Sequence, residues 1–146
     1  MMTLTILKQN ILDVNEGIIG HQVNAMGVMG AGLAKHLAKK YPSNYRAYRN
    51  AYRKGDLNLG SLILHQLSPQ LYIGNLVAQD KYGTDKRYTN YDYLAESLSH
   101  LHNISIKYNL TPYLPYGLGC GLGGGDWSVV NDIISTHCPN AILCQL

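Results

Sequence analysis

Two glycine-rich segments constrain this chain more than anything else in it, because each stands between an apolar run and a helix-like pattern. The first, Gly27-Val28-Met29-Gly30-Ala31-Gly32, follows the run Gly17 to Val23, which ends in Asn24. It precedes Leu33, Leu37 and Tyr41 at helical spacing, with Pro42 as the stop. The second, Gly117 to Gly125, follows a short strand over Tyr113 to Tyr116 and precedes a helix over Trp127 to His137. A strand that feeds a glycine loop and then a helix is an α/β device. Its double use predicts an α/β sandwich around a largely parallel sheet. The rest of the chain agrees. Thr3 to Lys8, Ser61 to His65, Leu71 to Ala78 and Ala141 to Gln145 read as strands, with Ser68-Pro69 as a turn. Tyr45, Tyr48 and Tyr52 mark a short helix that Ser43 or Asn44 can cap and Gly55 can end. Tyr91 to Tyr108 reads as the longest helix, striped by Leu94, Leu98 and Leu101. With 146 residues, 46% of them hydrophobic, and no linker or repeat, one domain over residues 1–146 is expected.

The loops also bear on function. Helix N-termini present free N–H groups and partial positive charge, and glycine lets an anion approach the backbone. Two such loops suit a diphosphate or two separated anionic groups, and in such sheets the ligand lies beyond the carboxyl ends of the strands. Familiar nucleotide motifs fail. There is no GxxxxGK[ST], which excludes a P-loop. Gly119, Gly121 and Gly124 match GxGxxG, but the Rossmann motif needs a further βαβ unit and an acid about 20 residues on. Position 145 is a glutamine and no such unit follows.

Asn10-Ile11-Leu12 follows the first strand, and His21-Gln22-Val23-Asn24-Ala25 leads into Gly27 through Ala34. Leu118-Gly119-Cys120-Gly121-Leu122-Gly123-Gly124-Gly125-Asp126-Trp127 comes late. In this order, over nearly the whole chain, these segments resemble the macro domain, the ADP-ribose-binding fold. The resemblance implies a three-layer α/β/α sandwich with a mixed, largely parallel sheet of about six strands. It implies a cleft for ADP-ribose across the strand ends. Gln9, Asn10 and Ile11 would meet the adenine, with the Asn10 amide oxygen in place of the family's acid; Asn10 also reads as a turn residue. The first loop would hold the distal ribose and a phosphate through Asn24, Ala25, Met26, Met29, Gly30, Ala31, Gly32, Leu33 and Ala34, joined by Gln22 and Val23. Gly117, Leu118, Gly119, Cys120, Gly121 and Leu122 would cradle the diphosphate.

The branch sets the activity. One branch removes ADP-ribose from glutamate or thymidine with a lysine after the central strand; here that position is Gln79, which is no amine nucleophile. The short first loop, with His21 before it, looks more like the branch that dephosphorylates ADP-ribose 1″-phosphate. The catalytic candidates are then His21, as acid/base or phosphate-accepting nucleophile, Asn24, and Asp126 as base or water-positioner. Asp126 also reads as the N-cap of the following helix. Two other functions stay open: a non-catalytic module that holds ADP-ribose or a related NAD metabolite, and a hydrolase that strips ADP-ribose from protein or nucleic acid.

No cofactor and no metal are expected. Cys120, Cys138 and Cys144 have neither CxxC spacing nor an even count, and Cys120 lacks the Cys-x5-Arg of a phosphocysteine phosphatase. No apolar run reaches membrane length and MMTLTILKQN lacks the parts of a secretory signal, so a cytoplasmic monomer is expected. Seven of the twelve Lys and Arg fall between Lys35 and Lys54, in a window without an acid and interleaved with Tyr41, Tyr45, Tyr48 and Tyr52. The tyrosine spacing predicts rings packed inward and bases facing water, so no nucleic-acid partner is expected.

Overall fold

Strand β2, Gly17–Asn24, is buried along almost its whole length. Its alternate side chains feed two different cores. In the computed structural model, which describes residues 3–146, β2 lies inside a six-stranded sheet of order β1-β6-β5-β2-β4-β3. The other strands are β1 (Thr5–Lys8), β3 (Leu62–Ser68), β4 (Leu71–Gln79), β5 (Pro112–Pro115) and β6 (Ile142–Gln145). All pairs are parallel except β3 with β4, which the Ser68-Pro69-Gln70 connection folds into a hairpin. A sheet that is parallel through its centre needs helices on both faces, and this one has them.

Helices α1 (Gly32–Lys40) and α2 (Pro42–Arg53) cover one face. Leu37 of α1 packs with Ile19 and Ile73, and Tyr48 of α2 packs with Val23 and Val77. Helices α3 (Tyr91–Lys107) and α4 (Trp127–His137) cover the other. There Leu94, Leu98, Leu101, Val130 and Ile134 close over Ile18, Leu76, Leu114 and Leu143. Each such fully buried side chain is worth about 1.5–3 kcal/mol of transfer free energy. Gly20 and Gly74, register partners on β2 and β4, let α3 approach. A Cβ at Gly20 would stand 2.6 Å from Leu114 Cδ2 and 3.3 Å from Leu101 Cδ2. The result is the three-layer α/β/α sandwich, with mixed six-stranded sheet, that the resemblance implied.

The structure corrects two local readings. Neither Ser43 nor Asn44 caps α2. The helix starts at Pro42, whose fixed φ and missing N–H suit the first helical position, and Tyr41 flanks it without a side-chain cap. Asn44 is instead wholly buried and exchanges hydrogen bonds with Asn75 at 3.1 and 2.9 Å. The tyrosines do not all turn inward either. Tyr48 is buried and Tyr41 and Tyr45 are half-buried, but Tyr52 is 43% exposed because its ring lies outside over Gly27.

Candidate functional site

Beyond the carboxyl ends of β2, β4 and β5 lies a cavity of about 670 Å³. It is lined by the end of β2, by the first glycine loop from Val28 to Ala34, by Gln79 and Tyr82, and by the second glycine loop from Pro115 onward. Of the residues expected in the site, the cavity brings together His21, Gln22, Val23, Asn24, Met29 to Ala34, Gly117, Leu118, Gly119, Gly121 and Leu122. The loops meet across it: a Cβ on Gly32 would stand 3.3 Å from Leu122 Cδ1. Among the described residues no Asp, Glu, Lys or Arg lines it.

What the cavity offers is N–H groups. α1 begins without a side-chain cap, so the amides of Gly32, Leu33 and Ala34 have no acceptor in their own helix. The second loop is folded by backbone bonds from Leu118 N to Pro115 O, Cys120 N to Gly117 O and Gly125 N to Gly119 O. Gly117 and Gly119 adopt φ of 83° and 72°, in the left-handed region where a side chain is strained. At Gly119 a Cβ would also stand 2.8 Å from Gln22 Oε1. Cys144 O anchors the loop's start by accepting from Tyr116 N at 2.9 Å.

Asn24 shapes the first loop. Its Oδ1 accepts from Met26 N at 3.0 Å and from the Tyr48 hydroxyl at 2.8 Å, while its Nδ2 donates to Val28 O at 2.8 Å. One N–H of the amide is left for a ligand. Burial pushes the Tyr48 phenol well above its ordinary range. Tyr48 therefore remains a donor, to Asn24 O or Oδ1.

His21 is 1% exposed. Its Nε2 lies 2.6 Å from Asn75 Oδ1. Asn75 Nδ2 already donates to Asn44 Oδ1 and to Ile63 O, each at 2.9 Å, which fixes Oδ1 as the acceptor. His21 Nε2 must then carry the proton, and Nδ1 is a buried lone pair with no partner among the described residues. Desolvation lowers the His21 pKa to about 4, against the weaker opposing pull of the Asn75 hydrogen bond. The imidazole is neutral at physiological pH.

On the other face of β2, Gln22 Nε2 donates to Gln79 Oε1 at 2.7 Å and to Thr89 Oγ1 at 2.8 Å. Gln22 Oε1 has no partner among the described residues. Thr89 Oγ1 in turn donates to Gly119 O at 2.7 Å. This chain ties the ends of β2 and β4 to the second loop. Gln79 and Val28 belong to the lining although sequence reasoning did not count them among the ligand residues, as do Tyr82, Pro115, Tyr116 and Gly123. Val28, Pro115, Tyr116 and Gly123 adjoin expected segments, and Gln79 stands at the position compared with the family's lysine, whereas no expected segment adjoins Tyr82.

Seven expected residues lie outside the cavity lining. Gln9 continues the β1–β6 pairing through its backbone, Asn10 caps a 3-10 turn by accepting from Leu12 N at 3.0 Å, and Ile11 is 6% exposed in the core under α1. Ala25 N is held by Gln79 O, and Met26 is 40% exposed. Cys120 packs against the α3–α4 core, and its thiol pKa is raised by burial and then by the charge of Asp126. Asp126 is an N-cap: its Oδ1 accepts from Ser128 N at 2.9 Å and from the Ser128 hydroxyl, which hold its carboxyl below the usual range. Arg87 lies over the Tyr91 ring and Tyr88 donates to Asp85, and neither lines the cavity, whereas nearby Tyr82 does.

No protein-family model matches the chain. It is 27% identical over 134 residues to a DNA ADP-ribosyl glycohydrolase of Thermus aquaticus, an alignment covering 90% of this chain and 36% of that one. The chain thus spans about a third of the length of such curated relatives. Among solved structures it superposes on the macrodomain of Thermus aquaticus DarG with a TM-score of 0.83 at 25% identity, over 99% of both chains. It superposes on Thermosipho africanus DarTG in complex with ADP-ribose with a TM-score of 0.82 at 21% identity, over 97% of this chain and 41% of that one. The fold of this chain is that of the macro domain.

Proposed function

We propose that the cavity binds ADP-ribose 1″-phosphate and that the chain hydrolyses it to ADP-ribose and phosphate. One observation carries the reading: two glycine loops line the cavity, the first of them opens an uncapped helix, and among the described residues no acid, amine or fixed charge lines it. Uncapped amides at a helix start and in a glycine loop suit a diphosphate, and no carboxylate repels it. The ADP-ribose held by the Thermosipho protein of the same fold supports the ligand.

The missing acid also selects the bond. Attack of water on phosphorus would expel the C1″ oxygen, which must be protonated as it leaves. Attack on C1″ breaks the C1″–O bond and expels phosphate, a stable anion that needs no proton. Neutral His21, its only proton committed to Asn75, offers none. The second route therefore fits. The proton of the attacking water passes to solvent. The name of the relatives, glycohydrolase, describes scission at a glycosidic carbon and supports this choice. That name also favours a second reading, removal of ADP-ribose from DNA. Against it stands Gln79, fixed by Gln22 and Lys81 O where the resemblance places a lysine.

Phosphorus NMR of ADP-ribose 1″-phosphate with catalytic protein in oxygen-18 water tests the proposal. Free phosphate should grow without an isotope shift while the diphosphate signals persist. Labelled phosphate would mean attack on phosphorus. Broadened diphosphate signals at stoichiometric protein without turnover would mean a binding module. Release of ADP-ribose from a modified thymidine oligonucleotide, with none from the phosphate, would establish the second reading.

A further inference from the structure

The rear of the first glycine loop faces a second groove, of about 550 Å³. Gly27 and Val28 form one side of it, and Arg46, Arg49, Asn50 and Arg53 of α2 form the other. Val28 also lines the ligand cavity, so the two adjoin. The arginines stand at i, i+3 and i+7 on one face of α2, spread over about 10 Å along its axis. Among the described residues no carboxylate lines the groove, and the sequence has none between Lys35 and Lys54. Like charges at these spacings repel one another along the helix surface. Arg46 and Arg53 are exposed. Arg49 is half-buried and fixed: its Nη1 donates to Gly27 O at 3.1 Å, and its guanidinium lies 5.2 Å from the Tyr52 ring centroid. A guanidinium carries further N–H donors beside the one given to Gly27 O.

We infer that this groove is a second anion site, for a short chain of linked phosphates, and that its occupant tightens the binding of ADP-ribose in the neighbouring cavity. A single phosphate would engage one or two guanidiniums. Three on successive turns, the middle one held to the backbone, match an oligophosphate in length and charge. The ligand class is a free oligophosphate or the triphosphate of a nucleotide. The groove reads phosphate rather than a base. Tyr45, the aromatic that lines it, packs into the core with Tyr48, and Tyr52 gives its ring to Arg49 outside the lining.

The link to the cavity runs through Gly27. At φ 76° it has no room for a Cβ, which would stand 2.7 Å from Tyr52 Cγ and 2.9 Å from Arg49 Nη1. Its neighbours Met26 and Val28 donate their N–H groups to Asn24 Oδ1 at 3.0 and 3.3 Å, and Val28 O accepts from Asn24 Nδ2. An oligophosphate on the remaining donors of Arg49 holds the guanidinium against Gly27 O, and so holds the loop closed around Asn24. The loop then meets ADP-ribose already ordered, and the ordering cost of binding falls. Repulsion between the two anions opposes this, and salt with a Debye length of about 8 Å weakens it across the loop. By linkage ADP-ribose tightens the oligophosphate by the same factor. The coupling rests on the ADP-ribose binding proposed above; the groove does not.

Calorimetry at physiological salt tests both statements on the full chain, on Arg46→Glu/Arg53→Glu, and on a charge-matched Lys39→Glu/Lys107→Glu control outside the groove. Tripolyphosphate should bind the parent and the control alike, and the arginine variant at least tenfold more weakly. Saturating tripolyphosphate should tighten ADP-ribose binding about fivefold in the parent. In the arginine variant it should change nothing, while ADP-ribose alone still binds and so reports an intact fold. Uridine triphosphate in place of tripolyphosphate separates the sources: equal affinity marks the phosphate chain alone, and tighter binding marks a nucleotide. Equal loss of tripolyphosphate in both charge variants would overturn the site and leave a diffuse basic face. So would inorganic phosphate that binds as tightly as tripolyphosphate. Tripolyphosphate that weakens ADP-ribose binding in every protein would place it in the cavity and overturn the inference. An unchanged ADP-ribose affinity at saturation would overturn the coupling. If ADP-ribose binds none of the three proteins while tripolyphosphate still discriminates them, the reading of the cavity fails and the groove stands.

Discussion

At the scale of single residues, His21 is a neutral base enclosed by the fold, and this has a consequence for stability. Unfolded, its imidazole titrates near 6.5; folded, near 4. Between these values the unfolded chain takes up a proton that the folded chain refuses. The His21 contribution is therefore level above about pH 7, falls as pH drops through 6.5 toward 4, and levels again below. The loss is about 3 kcal/mol. The difference in unfolding free energy between the parent and His21→Gln, followed by urea melts from pH 8 to 4, should show this slope. A flat difference would mean that His21 is hydrated. Gly119→Ala should cost about 1–2 kcal/mol from left-handed strain and should also push Gln22, so that ADP-ribose binding weakens in calorimetry. Gly117→Ala, at φ 83° with open space around its Cβ, should cost only the strain. The place of His21 beside Asn24 was readable in the sequence. Its proton was not, because Asn75 and Asn44, which fix it, lie far along the chain.

At the scale of elements, α2 does more than cover the sheet. Through Tyr48 it holds Asn24, and through Asn44 it holds Asn75, so it fixes both polar ends of the cavity side of β2. Tyr48→Phe removes the hydroxyl that reaches Asn24 O at 2.6 Å and Oδ1 at 2.8 Å. It should cost about 1–2 kcal/mol, and amide exchange should speed at Met26 and Val28, whose N–H groups rest on Asn24. Unchanged exchange there would show that Asn24 folds the loop unaided. For α4 the same logic separates cap from catalyst. Asp126→Asn keeps the acceptor for Ser128 N and should leave melting and turnover close to the parent, whereas Asp126→Ala should cost about 1 kcal/mol. Loss of turnover in the Asn variant with stability intact would return Asp126 to chemistry. The α4 cap was legible because Asp stands directly before an apolar helical stripe. The start of α2 was misread because Pro42 can both stop one helix and open the next, while Asn44 draws its partner from β4.

At the scale of the whole molecule, the fold was legible because its signals are local: strand, glycine loop and helix repeat in sequence, and a parallel sheet follows. What joins the halves was not, since Gly32 meets Leu122 and Gln22 meets Thr89 only after the sheet has ordered its strands. That junction makes the two loops one continuous wall of the cavity. A ligand that spans both should order both together, whereas a fragment should order one. ADP-ribose at about a hundred times its dissociation constant should stabilise the chain by about 2.7 kcal/mol. Hydrogen exchange should then slow in residues 28–34 and 117–123 alike. AMP or ribose 5-phosphate at the same relative saturation should stabilise equally but protect a single loop. If ADP-ribose protects only one loop, the diphosphate does not bridge them. The N–H groups at the start of α1 then serve a separate anion, and the substrate must be sought among ligands shorter than a dinucleotide.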